Sequence, residues 1–172
     1  TLFENLPTFL EVDAPMEPTT IYATNDDGNP VKLASFYDQN RVPVTYEQVS
    51  QTLYDAILSS EDKNFYEHGG VDLVGTTSAV VDNLRGTSSR GGSTISQQYV
   101  KNVQIQQCEK EASPSDEGYA DKLQQCWLDA TNAVGADGIE RKLQEMRYAI
   151  QIEKEYSKND ILLGYLNIAN FG

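Results

Sequence analysis

The chain has 172 residues, 39% of them apolar, which gives it the size and the core material of one ordinary globular domain. With 13 Lys and Arg against 26 Asp and Glu, the net charge is −13; such a surface cannot displace counterions from a phosphate backbone, so nucleic acid is excluded as a partner. No stretch reaches the roughly 18–20 consecutive apolar residues needed to span a bilayer, and the N-terminus lacks the basic, apolar, small-residue order of a signal peptide.

Residues 1–18 mix apolar residues with Pro7, Pro15 and Pro18 and read as an irregular lead-in without chemistry. Thr20–Thr24 and Val31–Phe36 are strand-like runs around Asn25-Asp26-Asp27-Gly28-Asn29, a cluster suited to a hairpin turn. The acids there do not make a calcium loop, because Ala23 stands where the first carboxylate is needed and the distal Glu is missing. Thr45 with Gln48 has capping-box spacing, and Val49, Leu53, Ala56 and Ile57 repeat at helical period, predicting a helix that ends at Glu61.

Val71–Leu84 reads as the next helix, and Ser93 opens another that runs through Gln107. Between them lies a Gly- and Ser-rich loop, Gly86–Gly92, where backbone can approach a ligand closely. Residues 103–138 hold 7 acids against 2 lysines, both cysteines and the only tryptophan, Trp127. Helical periodicity returns over Ile139–Tyr156, with Leu143, Met146 and Ile150 on the apolar face and Glu153 at its margin. Ser157 with Asp160 caps a final helix. There is no internal repeat.

Four blocks carry the chemistry: Glu61-Asp62-Lys63-Asn64-Phe65-Tyr66-Glu67-His68-Gly69-Gly70; Gly91-Gly92-Ser93-Thr94-Ile95-Ser96-Gln97-Gln98-Tyr99-Val100-Lys101-Asn102; Arg141-Lys142-x-x-Glu145; and Lys158-x-x-Ile161-Leu162-x-x-Tyr165-Leu166-Asn167. In this order they resemble the peptidoglycan glycosyltransferases, glycosyltransferase family 51, as found in class A penicillin-binding proteins, including actinobacterial members. The resemblance implies a mainly α-helical, lysozyme-like fold with a short N-terminal β-hairpin. It also implies an anchoring transmembrane helix upstream of Thr1, a lead-in and hairpin over 1–44, and a glycosyltransferase domain over 45–172 that is incomplete at its C-terminus. Relatives have only a short connection between the second and third blocks, so residues 103–138 read as an acidic insertion.

The implied reaction polymerises lipid II with inversion at the donor C1 and release of undecaprenyl pyrophosphate, at the extracytoplasmic face of the membrane. Inversion needs a carboxylate to take the acceptor's proton and positive charge to hold the leaving group. By resemblance Glu61 is the base and Glu145 the second essential carboxylate. In isolation Glu61-Asp62 would be a solvated acidic pair, and Arg141 with Glu145 at i and i+4 an ordinary surface salt bridge. Gly91, Ser93 and Thr94 at a helix start form an anion cradle or a plain cap. Gln98 and Lys101 share the Thr94 face, Lys101 is the expected pyrophosphate contact, and Arg141 and Lys142 add charge. Asp62, Phe65 and His68 support the site, the lone histidine as a hydrogen-bonding brace. Where relatives place a glutamate the fourth block has Leu163, which assigns it packing, with Asn167 as a polar brace.

No cofactor is demanded by these blocks; a divalent cation, Mg or Mn, is admissible at the donor pyrophosphate, and Asp62, Glu67 and His68 lack the spacing of a structural metal site. Ser60-Glu61-Asp62-Lys63 matches the penicillin-binding Ser-x-x-Lys pattern, but the companion Ser-Asp-Asn and Lys-Thr-Gly segments are absent. The implied partners are lipid II, the nascent glycan chain, the membrane surface and cell-wall or divisome proteins. The competing reading is a non-catalytic module that binds lipid-linked sugar or cell wall. Outside the membrane, Cys108 and Cys126 are expected to form a disulfide closing about 17 residues. Both carboxylates lie outside that loop, so activity is expected to survive its reduction. The segment it closes is too polar to fold tightly by itself.

Overall fold

The computed structural model describes residues 10–12, 19–36, 42–73, 92–112, 115, 117–132 and 134–169. Strands β1 (Thr19–Thr24) and β2 (Pro30–Phe36) pair antiparallel, with Thr19 opposite Phe36, Thr24 opposite Pro30 and an irregularity between Ile21 and Tyr22. The connecting turn satisfies itself: Asn25 Oδ1 accepts the N–H groups of Asp27 and Asn29 at 3.1 and 2.8 Å.

The Thr45–Gln48 cap opens only a single 3-10 turn, Tyr46–Gln48, with Thr45 N–H donating to Gln48 Oε1 at 2.7 Å. A fresh start follows at Ser50, whose hydroxyl caps α1 (Gln51–Glu61) by accepting Leu53 N–H at 3.3 Å. This restart splits the expected apolar stripe: Val49 and Ile57 pack against the core, while Leu53 and Ala56 face outward. Leu53 is 47% exposed and Ala56 is exposed, while Tyr54 is buried, stacked on Tyr46 at 4.5 Å and donating its hydroxyl to Tyr46 O at 3.0 Å.

Helix α2 (Ile95–Glu111) starts from Thr94 rather than Ser93 and runs past Gln107. It is the central element, touching α3 (Tyr119–Thr131), α4 (Gly135–Glu155) and α5 (Lys158–Ile168). Ile95, Val100 and Val103 of α2 meet Ala149 and Ile152 of α4, and Ile161, Leu162 and Tyr165 of α5, in one core. Helices α2 and α5 can approach closely because Gly164 faces Tyr99: a Cβ there would lie 2.5 Å from the ring. The α5 cap follows the sequence, Ser157 Oγ accepting Asp160 N–H at 3.2 Å.

One expectation for α4 is corrected. On α4 the apolar face was expected at Leu143, Met146 and Ile150, which are only partly buried; the buried stripe is Glu145, Tyr148, Ala149 and Ile152. A carboxylate can sit in that stripe because two cations on its own helix neutralise it. The described residues of the acidic segment 103–138 extend α2, form α3 and start α4 at Gly135. A Cys108–Cys126 disulfide, Cα atoms 5.7 Å apart, ties α3 to α2.

The lead-in has a structural task at residues 10–12. Leu10 is buried and its N–H donates to Gln151 Oε1 at 2.8 Å, while Glu11 O accepts from Gln107 Nε2 at 3.0 Å, so the segment straps α4 and α2. Asn167 braces the entry to α1, its amide exchanging two hydrogen bonds with the backbone of Val44 at 2.9 and 3.0 Å. The expected helix over Val71–Leu84 falls mostly outside the described residues, as does Gly91. No described helix is long and apolar enough to cross a membrane.

Candidate active site

Four chain segments converge on the N-terminal end of α2. Thr94 N–H donates to Gln97 Oε1 at 2.9 Å and Gln97 N–H to Thr94 Oγ1 at 3.2 Å, a reciprocal capping box in a buried setting. Thr94 Oγ1 also donates to Gly70 O at 2.7 Å. Its hydroxyl therefore points inward. The free end expected to cradle an anion is largely taken up by protein groups, since Ile95 N–H donates to Asp62 Oδ2 at 3.0 Å. A carboxylate of the chain itself occupies the positive end of the helix dipole.

Asp62 is 6% exposed and also meets His68 Nε2 at 2.9 Å. Gly70 N–H donates to His68 Nδ1 at 3.2 Å, which leaves Nε2 to carry the proton toward Asp62. Gly70 takes φ +93, and a Cβ there would lie 2.5 Å from Ala149 O, so the loop lies directly on the α4 backbone. Beneath it Phe65 is fully buried, with Lys158 Nζ 4.5 Å above its ring. Lys158 joins the loop to both long helices: its Nζ donates to His68 O at 2.6 Å and to Glu153 Oε1 at 2.7 Å, and Glu153 accepts from Ser96 Oγ at 2.5 Å.

The two carboxylates singled out by sequence stand in opposite surroundings. Glu61, the last residue of α1, is exposed; Gln98 Nε2 donates to its Oε2 at 3.1 Å and Ser60 Oγ to its Oε1 at 3.3 Å. Tyr165 donates its hydroxyl to Gln98 Oε1 at 3.3 Å, which turns the amide N–H₂ toward Glu61. Burial, and then the nearby Glu61 charge, push the Tyr165 phenol above its ordinary 10.0. Glu145 is 2% exposed, with Oε2 held by Arg141 Nη1 at 2.7 Å and Oε1 by Lys142 Nζ. Lys142 also donates to Ser93 Oγ at 2.8 Å and keeps 36% of its side chain in solvent. The i,i+4 pair is thus a buried one, and its partner lysine is the cation that reaches water.

Lys101 lies on α2 beyond Gln98, and no hydrogen bond or ion pair occupies it among the described residues. No group of three or more His, Cys, Asp or Glu is set to hold a metal among those residues. Glu145 and Asp62 are not open to a cation, because Arg141 and Lys142 take both Glu145 oxygens, and His68 and Ile95 take Asp62.

The family described as Transglycosylase matches residues 27–172 of this chain. The chain belongs to that family, glycosyltransferase family 51. It is 33% identical over 171 residues to penicillin-binding protein 1A of Mycobacterium tuberculosis, covering 95% of this chain and 18% of that protein. It is also 33% identical over 147 residues to penicillin-binding protein 1F of Bacillus subtilis, covering 85% of this chain and 17% of the relative. The chain thus spans about a fifth of the length of the curated relatives it matches. A transglycosylase domain of this family makes glycosyl transfer in peptidoglycan synthesis its class of activity, and its helical fold with a short hairpin is of that kind.

Within this transglycosylase domain sequence reasoning overlooked several residues that position the site. The Thr94-x-x-Gln97 spacing is itself a capping box and could have placed the helix start one residue later. Tyr165, Glu153 and the backbone of Asn132 gave no such signal. Their roles depend on contacts between residues 57 or more apart in sequence, or, for Asn132, on a backbone carbonyl.

Proposed function

We propose that this domain polymerises lipid II, with Glu61 as the base that takes the proton from the 4-hydroxyl of the acceptor's N-acetylglucosamine. The acceptor oxygen then attacks C1 of the donor's N-acetylmuramic acid with inversion, and undecaprenyl pyrophosphate leaves with the bonding pair. The observation that carries this reading is the opposite surroundings of the two carboxylates. Glu61 is exposed and held only by the Gln98 amide and the Ser60 hydroxyl, so it can receive a proton from a sugar hydroxyl. Glu145 is saturated by two cations and cannot act as a second base; its work is to hold Lys142 and Arg141 where the pyrophosphate charge develops.

Ser93 belongs to the same anion-binding group through Lys142. Lys101 adds charge to the anion-binding face, Thr94 supports it as a helix cap, and Gly91, outside the described residues, keeps the substrate-binding role its motif implies. Residues 45–172 constitute the catalytic unit, with 103–138 as its insertion. Its place is the extracytoplasmic face of the membrane, beside lipid II and the growing glycan, which agrees with a disulfide that needs an oxidising compartment. Polymerisation of lipid II, followed by gel separation of glycan strands, tests the reading. Glu61→Gln should reduce turnover at least 100-fold at unchanged folding, and near-parental turnover would remove Glu61 as the base.

A further inference from the structure

Helix α3 is attached to the domain in an unusual way. Of Tyr119–Thr131 only Ala130 is buried, so burial alone does not fix its placement. Two attachments do. Cys126 is tied to Cys108 of α2, and at the C-terminal end the Arg141 guanidinium reaches over the last turn, Nε donating to Asn132 O at 2.5 Å and Nη1 to Ala130 O at 3.5 Å. Carbonyls at a helix C-terminus lack intrahelical partners and carry the negative end of the dipole, so a guanidinium is a fitting cap. The Asn132 side chain sets that turn, its Oδ1 accepting Val134 N–H at 3.0 Å just before α4 begins.

The same guanidinium holds Glu145 Oε2, Glu145 holds Lys142 through its other oxygen, and Lys142 reaches Ser93. We propose that the C-terminal turn of α3, with Asn132 as its key residue, is a positioning element for the catalytic cations: it locks Arg141, and through Glu145 fixes where the solvent-facing charge of Lys142 sits. The inference rests on the function proposed above and assigns the acidic segment a task in that site. It also reverses the sequence-based expectation that reduction of the disulfide is harmless. The carboxylates lie outside the covalent loop, but the carbonyls that orient their cation lie just beyond its end, on the helix the disulfide tethers.

The test uses the full-length protein and three changes: Asn132→Ala, which removes the Oδ1 acceptor; Asn132→Asp, which keeps it; and Cys108→Ser with Cys126→Ser. Two readouts are followed, steady-state lipid II polymerisation and solvent exchange of the Arg141 Nε–H by NMR. Asn132→Ala and the cysteine pair should each speed that exchange at least tenfold and lower kcat about tenfold with KM within twofold, whereas Asn132→Asp should stay within threefold of the parent in both. Because a purely structural role would lower kcat irrespective of Arg141, Asn132→Ala is repeated in an Arg141→Lys background, where the further loss should be under twofold. An equal loss in both backgrounds, or fast Arg141 exchange with unchanged kcat, overturns the proposal. A parent that fails to polymerise lipid II sinks the functional reading instead, and the exchange data still decide whether α3 clamps Arg141.

Discussion

Asp62 accepts the backbone N–H of Ile95 at 3.0 Å, fastening the residue next to Glu61 onto the first turn of α2. Both ends of this contact are buried, and the same carboxylate holds His68. Removing it strands a buried donor at a helix start and frees the loop, a loss of about 2–3 kcal/mol on the scale for charge-assisted hydrogen bonds. Asp62→Ala should therefore lower the urea midpoint by that equivalent, and Asp62→Asn by less. A midpoint equal to the parent's would show that the contact contributes nothing.

Glu61 and Glu145 should separate stability from chemistry. Glu61 is exposed with only polar neighbours at its carboxylate, so Glu61→Gln should change unfolding free energy by no more than about 0.5 kcal/mol while stopping turnover. Glu145→Gln leaves Arg141 and Lys142 facing a neutral amide. Breaking a fully buried pair costs about 3–5 kcal/mol, but Lys142 can reach water, so about 2–3 kcal/mol is expected along with lost activity. Denaturation curves and polymerisation assays on the same samples check both. If Glu145→Gln melted like the parent, the buried ion pair would not be supporting the fold.

Much of this was legible beforehand, and the gaps have physical causes. The hairpin and the α5 cap were signalled by local turn and capping chemistry, which acts within a few residues. The stripe of α4, and the Leu53 and Ala56 half of that of α1, differ from expectation because periodicity ranks residues by apolarity. It could not foresee that Tyr54 would be buried through its hydroxyl and a stacked Tyr46, or that Glu145 would be buried between cations. The second block suggested an anion cradle that can also be a helix cap; the Ile95 N–H at that end is taken by Asp62, a residue 33 positions earlier, and no spacing rule reports such a pairing.

Gly70 is the tightest point of the loop. Its φ of +93 lies where a side chain is disfavoured by about 1–2 kcal/mol, and any Cβ would meet backbone atoms of Ala149 and Ile150 at 2.5–2.9 Å. Gly70→Ala should destabilise by more than the backbone term alone, about 3 kcal/mol, and displace His68 and Thr94 together. Thermal melting measures the first and loss of polymerisation the second. A melting point within one degree of the parent would contradict this packing.

Tyr99 gives a pH signature. Burial, then the neighbouring Tyr156, push its phenol from 10.0 to about 12. The folded state thus holds its proton more tightly than the unfolded chain, so this contribution to stability is complete below pH 10 and is lost as pH rises toward 12. Tyr99→Phe should flatten the fall of unfolding free energy between pH 10 and 12 relative to the parent. Parallel curves over that window would mean that Tyr99 titrates as in the unfolded chain.

The remaining cations can be ranked by where they stand. Lys142 is held by Glu145 and Ser93 and keeps 36% of its side chain in solvent, whereas Lys101 has no hydrogen bond or ion pair among the described residues and lies farther along α2. A charge held by neighbouring groups is worth more to a leaving pyrophosphate than one without such partners, because its orientation is settled before the reaction. Lys142→Ala should therefore lower kcat about 100-fold or more. Lys101→Ala should act mainly on binding, weakening lipid II and the phosphoglycolipid inhibitor moenomycin about five- to tenfold with a smaller change in kcat. Equilibrium binding of both ligands and steady-state rates, measured on the two variants side by side, decide the ranking. Unchanged affinity of Lys101→Ala for both ligands would move the second anion contact elsewhere, and a mere KM effect in Lys142→Ala would deny the Glu145-held lysine its place at the leaving group.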